Sequence, residues 1–382
     1  MEKLSTVELA KKLISTPSYV DSNSCEKNLL TYLYEYLKTN TSFTITKQKV
    51  EKNRFNLILS DNYPTTLLIT AHVDTVQPKD EKQLTPRVVG DKLYGLGSSD
   101  MKGSLAALVK ALEGVQNTEG VMVLLYVDEE YDFLGMKQFI SEYKNKIQPK
   151  IITSCDGYDG KLGNACRGLV ELKCIVLGKT GHASNPGSGV NAIQKSIKAI
   201  KRLSNRIELG YQSKLLGKTT CNLAYLQGGL CLGRTNNRIT FGKEGNNIPD
   251  IAEFILDIRT TSTELNAKKI STLLKQFLQK EKLQLIEVLV RHDYGAWITK
   301  RQDLEKIQKT TNTQNFSDSA YFGYIDIQML WEVFGKVPCF TLGAGIQNTA
   351  HKKDEYVTIS SIKQSEIKYV SLIQNLKGGE EL

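Results

Sequence analysis

Four polar residues, each about one strand-and-helix unit from the next, constrain this chain more than any other feature. His72, Asp100, Glu129 and Asp156 follow one another at steps of 28, 29 and 27 residues. That spacing suits a strand, its crossover helix and the loops between them. The apolar runs LLIT (67–70), VMVLLYV (121–127), IITSC (151–155) and CFTLG (339–343) are short, rich in β-branched residues, and followed by a motif residue or glycine. They read as buried parallel strands. LAALVKALEG after Asp100 and FLGMKQFISEYKNK after Glu130 read as the helices between them. The pattern predicts an α/β fold with a doubly wound, mostly parallel sheet that gathers one polar group per strand end in one place.

From about Leu169 the texture changes. VELKCIVLG, TTCNLAYLQGG, AEFILDIRT and LIEVLVRHDY alternate as strands, and GVNAIQKSIKAIKRLSN and STELNAKKISTLLKQFLQKEK are amphipathic helices. The order β-α-β-β-α-β is the ferredoxin-like unit. The expected organisation is a catalytic domain over 1–168, an inserted ferredoxin-like α+β lid or dimerisation domain over 169–294, and the rest of the catalytic domain over 295–382.

Composition excludes several classes. The net charge of +9 is spread out, with no run of five or six basic residues, so no nucleic-acid partner is expected. No apolar run approaches the roughly 20 residues of a membrane helix. The N-terminal MEKLSTVELAKKLISTPS lacks the features of a signal peptide and reads as an amphipathic helix. The seven cysteines are scattered with no C-x-x-C, which predicts buried thiols in a cytoplasmic protein rather than a cysteine zinc site.

Three of the four histidines stand in motifs where a metal enzyme needs one: His72 in TAHVDT, His182 in TGHASNP and His351 in TAHKKDEYV. In an extended chain Asp74 points the same way as His72 and can fix the tautomer that binds metal. Asp100, at a glycine-bounded turn before a helix, could bridge two cations or merely cap that helix. Asp128, Glu129 and Glu130 end the most apolar run of the chain, where three carboxylates repel one another unless cations offset the cost. One of Glu129 and Glu130 can bind metal while the other takes a proton from water. Asp156 ends the next strand, with Asp159 as its rival. His351 follows the glycines Gly343 and Gly345, which let backbone approach the site. Such a cluster supports two-metal hydrolysis. His292 reads as a hinge or packing residue, and Trp297 and Trp331 as core or interface aromatics.

With H-V-D, S-S-D-M-K-G, D-E-E, G-H-A-S-N-P-x-x-G-V-N-A-I, N-x-I-P, D-I-R and A-H-x-x-D-E-Y in place, the chain resembles a known family over essentially its whole length. It is the metal-dependent amidohydrolase and peptidase family of acetylornithine deacetylase, succinyl-diaminopimelate desuccinylase, aminoacylase and carboxypeptidase G. In motif the chain is nearest acetylornithine deacetylase. The resemblance implies that His72 and Asp156 bind one metal, Glu130 and His351 the second, and Asp100 bridges both. It implies Glu129 as general base, Asp74 as the group orienting His72, and His182 as an oxyanion donor, often from the partner subunit of a homodimer. Asn246 and Arg259 match positions associated with a substrate carboxylate. The two divalent ions expected are zinc, with cobalt or manganese as substitutes.

The implied activity is cleavage of an amide bond in an N-acyl amino acid. The alternative is an aminopeptidase or dipeptidase acting on short peptides with a free carboxylate, and a more remote one is a non-catalytic binding protein on the same fold. Two departures bear on the choice. Asp156 stands where many deacylases of the family have Glu, and Asp is more typical of its aminopeptidases and dipeptidases. The segments 230–245 and 316–336 are longer than the family pattern.

Overall fold

The computed structural model describes residues 2–21, 25–61, 63–235, 238–321 and 323–376. It divides into two compact units. The first comprises Met1–Asn164, Ile298–Ser317 and Ile325–Leu382, and the second Ala165–Trp297 and Asp318–Tyr324. Segment 230–245 contains residues 236–237 and segment 316–336 contains residue 322, which lie outside the described residues.

The first unit begins with α1 (Thr6–Ile14), α2 (Lys27–Asn40), β1 (Thr44–Glu51), β2 (Arg54–Ser60) and β3 (Leu67–His72). It continues with α3 (Gly103–Gly114), β4 (Val121–Tyr126), α4 (Leu134–Tyr143) and β5 (Ile151–Ser154). The second unit supplies β6 (Gly168–Leu177), α5 (Ala192–Gly210), β7 (Thr220–Thr235), β8 (Arg238–Gly242), β9 (Ile251–Thr260), α6 (Ala267–Lys280) and β10 (Gln284–Tyr294). The chain then returns to the first unit with α7 (Glu305–Thr310), α8 (Ile327–Val333), β11 (Cys339–Thr341) and α9 (Ile359–Leu376).

The sheet of the first unit has the order β1-β2-β4-β3-β5-β11. Strands β4, β3, β5 and β11 run parallel, and the β1–β2 hairpin joins β4 antiparallel. These four parallel strands are the four apolar runs of the sequence. Every residue of β3, β4, β5 and β11 is buried. Helices cover the sheet, so these strands need no polar face and show no alternation. The carboxyl ends of the parallel strands lead directly into His72, Asp128-Glu129-Glu130, Asp156 and the Gly343–His351 loop.

The second unit holds an antiparallel sheet of order β8-β7-β9-β6-β10, with α5 and α6 packed on it. Asn191 and Asn266 begin these helices by accepting from Gln194 N and Lys269 N, the side-chain capping that Asn favours. Strands β7, β9, β6 and β10 take the ferredoxin-like order. The fifth strand, β8, comes from segment 230–245, which extends β7 and pairs with it in a hairpin. Among the described residues no helix is long and apolar enough to cross a membrane.

Candidate metal centre

The site of the first unit is built at the ends of β3, β4, β5 and β11. His72, the last residue of β3, is buried and lies opposite Tyr126 at the end of β4. Its Nε2 is 3.0 Å from Asp100 Oδ1. The other oxygen, Asp100 Oδ2, is 3.5 Å from His351 Nε2, and that nitrogen is 3.0 Å from Glu130 Oε1. Asp100 therefore presents one oxygen to each histidine.

Two sets of ligand atoms converge: His72, Asp100 and Asp156, and Asp100, Glu130 and His351, with the atoms of each set within 4.8 Å of one another. The rival Asp159 belongs to neither set and pairs with Lys161 at 3.5 Å.

Local backbone geometry makes this convergence feasible. A Cβ on Gly157 would sit 2.5 Å from Gly343 N, and one on Gly343 would sit 2.2 Å from Cys155 O. Only glycine lets the loops after β5 and β11 touch there. Gly345 N donates to Gly157 O and Asp159 N to Gly345 O, which ties the Asp156 loop to the loop leading to His351. Glu355, four residues beyond His351, is buried and accepts from Gly97 N, Ser99 N and Asp100 N at 2.9–3.1 Å. The Asp100 turn is thus held from the segment that carries His351.

Asp74 also binds backbone. Its two oxygens accept from Glu129 N at 3.1 Å and Glu130 N at 3.0 Å. His72 Nδ1 lies 3.5 Å from Asp74 Oδ1 and is buried without a hydrogen bond. One carboxylate therefore sits beside His72 and fixes the peptides of both glutamates.

The electrostatics are those of crowded carboxylates in a low-dielectric place. Burial drives Glu129 well above the usual carboxylate range, with Asp326, Glu130 and Asp156 adding to it against the opposing charge of His72. Burial and the charge of Asp100 push Asp156 up to about 8. Burial also raises Glu130 despite its hydrogen bond with His351. The bond to Glu130 holds His351 up at about 9. Burial opposes protonation of His72, but Asp100, Asp74 and Glu129 outweigh it. Divalent cations would replace protons as the charges these groups need. Two imidazole nitrogens and three carboxylates, Asp100 among them and shared by both sets, form a donor set that fits two such ions.

The remaining expected residues lie in the second unit. His182 is exposed, and its Nδ1 is 2.7 Å from Ser184 Oγ. Asn246 is exposed too, and its backbone oxygen accepts from Ala183 N in the His182 loop. Arg259, in β9, pairs its fork with Asp257 two residues earlier, Nε to Oδ1 at 2.8 Å and Nη2 to Oδ2 at 3.0 Å. His292 is buried beside the Tyr294 ring.

Residues 68–375 match the model of peptidase family M20/M25/M40. The chain belongs to this family. It is therefore an M20 metallohydrolase. It is 30% identical to the acetylornithine deacetylase of Proteus mirabilis (strain HI4320), with 97% of this chain and 96% of that protein covered. In fold it is similar to an M20 family metallo-carboxypeptidase from Sulfolobus solfataricus, with a TM-score of 0.73 at 20% identity, covering 98% of this chain and 99% of that one. It is likewise similar to the aminopeptidase PepT of Bacillus cereus ATCC 10987, with a TM-score of 0.74 at 18% identity and 97% and 98% covered. At these identities the M20 structures support the fold alone.

Sequence reasoning assigned no role to Glu355, Asp326 or Arg54. Glu355 was visible within A-H-x-x-D-E-Y. Asp326 is buried in segment 316–336, accepts from the Tyr126 hydroxyl at 2.7 Å and raises Glu129. Arg54 has no motif around it.

Proposed function

We propose that this chain hydrolyses the amide bond of an N-acyl amino acid, in the manner of an acetylornithine deacetylase. The observation that carries the chemistry is Asp100, with its two oxygens directed at His72 and His351. His72 and Asp156 would hold one divalent cation and Glu130 and His351 the other, with Asp100 serving both. The mixed nitrogen and oxygen donors suit zinc, with cobalt or manganese as substitutes. When bound, the cations supply Lewis acidity at the amide carbonyl and make water a nucleophile near neutral pH.

Glu129 takes the proton of the attacking water and returns it to the leaving nitrogen. Its burial raises its basicity toward the range a general base needs. Asp74 keeps Glu129 in place through the backbone and lies against His72. Asn246 and Arg259 receive the substrate carboxylate, Arg259 by exchanging Asp257 for the ligand.

His182 donates to the developing oxyanion from the second copy of a homodimer. It is exposed, and its Nδ1 is engaged by Ser184, accepting from Ser184 N at 3.2 Å and lying 2.7 Å from Ser184 Oγ, which leaves Nε2 for a ligand. A mixture of Glu129→Ala and His182→Ala proteins should then regain part of the activity each lacks. A monomeric active species in sedimentation removes this arrangement. Among the described residues no disulfide joins the cysteines, which suits the cytoplasm.

The likeness to the P. mirabilis deacetylase over nearly the full length supports the acyl amino acid. Asp156 favours the second reading, a peptidase for short peptides with a free carboxylate. Hydrolysis of N-acetyl amino acids, including N-acetylornithine, against dipeptides, with and without chelator, tests the proposal. Chelator-sensitive cleavage of the acetyl compounds supports it. Cleavage of the dipeptides alone replaces it with the peptidase reading.

A further inference from the structure

Directly before the Glu129–Glu130 pair stands Asp128, a buried carboxylate to which hydrolysis assigns no task. Its φ is 70°, in the left-handed region that a side chain rarely adopts. Two sets of bonds hold it there. Oδ2 accepts from Asp132 N at 3.1 Å and Leu134 N at 3.2 Å, closing the turn into α4. Oδ1 accepts from Arg54 Nη2 at 2.5 Å.

Arg54, the first residue of β2, is itself clamped by Glu26 at the start of α2. Its Nε donates to Glu26 Oε2 at 3.0 Å and its Nη2 to Oε1 at 2.6 Å. Glu26, Arg54 and Asp128 are 0%, 8% and 3% exposed. A third carboxylate, Glu51, lies 3.4 Å from Arg54 Nη1 at the solvent side.

Stability alone is a poor reason to bury three ions, since apolar groups of the same volume often serve as well. Placement gives a better one. The planar fork reads two carboxylates at fixed angles, which a flexible ammonium does not. It fixes Asp128 from one side, while Asp74 fixes the next two peptides from the other. Together they leave Glu129 and Glu130 little freedom to turn.

We propose that Arg54, anchored by Glu26, is a positioning residue that sets the geometry of Glu129 and Glu130 through Asp128. This rests on the roles of base and metal ligand given to that pair above. The test is titration of the metal-free full-length protein with Zn2+ by calorimetry, together with steady-state kinetics.

In the double variant Glu26→Leu/Arg54→Met, which removes the clamp without stranding Glu26, kcat falls roughly 100-fold with KM nearly unchanged, since a misplacement of about 1 Å costs that much. Affinity for one Zn2+ falls about 10–100-fold while the other holds. Arg54→Lys, which keeps the charge and loses the fork, lies between wild type and the double variant. A folded double variant with wild-type kcat and two unchanged Zn2+ affinities overturns the proposal. If the double variant fails to fold, Arg54→Lys decides: unchanged kcat and affinities overturn the proposal, and losses at an unchanged Tm support it. A wild-type protein that binds no second Zn2+ defeats the two-cation reading instead, and kcat of the variants then judges Arg54 by itself.

Discussion

Asp74 shows how one side chain can serve two partners. The spacing H-V-D places it beside His72, and the structure puts it 3.5 Å from that ring. Its acceptance of Glu129 N and Glu130 N was not legible, because a contact between the ends of β3 and β4 has no signature within either segment. Asp74→Asn replaces one acceptor by a donor facing an N–H. We expect it to weaken metal binding about 10–100-fold, as losses of such supporting groups do, measured by Zn2+ titration. Glu129 differs in kind. It belongs to neither ligand set, so Glu129→Gln should retain both ions while kcat drops by about 10²–10⁴, the usual worth of a general base. Loss of an ion in that variant would move Glu129 among the ligands.

Elements hold the site by their ends, and their spacing was what the sequence displayed best. Steps of 28, 29 and 27 residues correspond to passages between strand ends and the Asp100 turn, so the spacing pointed to His72, Asp100, Glu129 and Asp156 as candidates before any contact was known. What could not be read is how irregular segments fasten those ends. Part of segment 230–245 became β8, and 318–324 joined the second unit, since neither carries a period that ties it to a partner. Glu355 is the fastening at the Asp100 turn. Glu355→Ala leaves three backbone N–H groups without their acceptor and should lower stability by about 1–3 kcal/mol, seen as an earlier urea midpoint in the metal-free protein. Gly343→Ala sets a Cβ against the Cys155 carbonyl, which is backbone and cannot step aside. A loss of about 1–3 kcal/mol is expected from that overpacking. An unchanged midpoint would mean that the loops after β5 and β11 are not in contact.

For the molecule as a whole, the crowded site makes folding, protons and cations interdependent. Without cations the folded chain holds Asp156 at about 8, chiefly by burial, against its ordinary 3.8. Burial likewise holds Asp326 and Glu355 at about 7. The bond to Glu130 keeps His351 at about 9 against 6.5. All four values are raised, so the folded state binds more protons than the unfolded one, and stability falls as pH rises. For the carboxyls the fall spans their ordinary values up to about 7 or 8, and for His351 it runs from 6.5 to about 9. Lys102, lowered by burial to about 7, has the opposite sign, and its contribution lies mainly above that value. Chelated protein should therefore melt at lower temperature at about pH 7 than at about pH 5. Zinc should reverse the trend. Its ligands must shed protons to bind it, so affinity, and the stability it confers, rises with pH over the same interval. Thermal melts in chelator and in zinc across that range measure both slopes. Parallel curves would mean that the raised values do not belong to the groups that bind the metal.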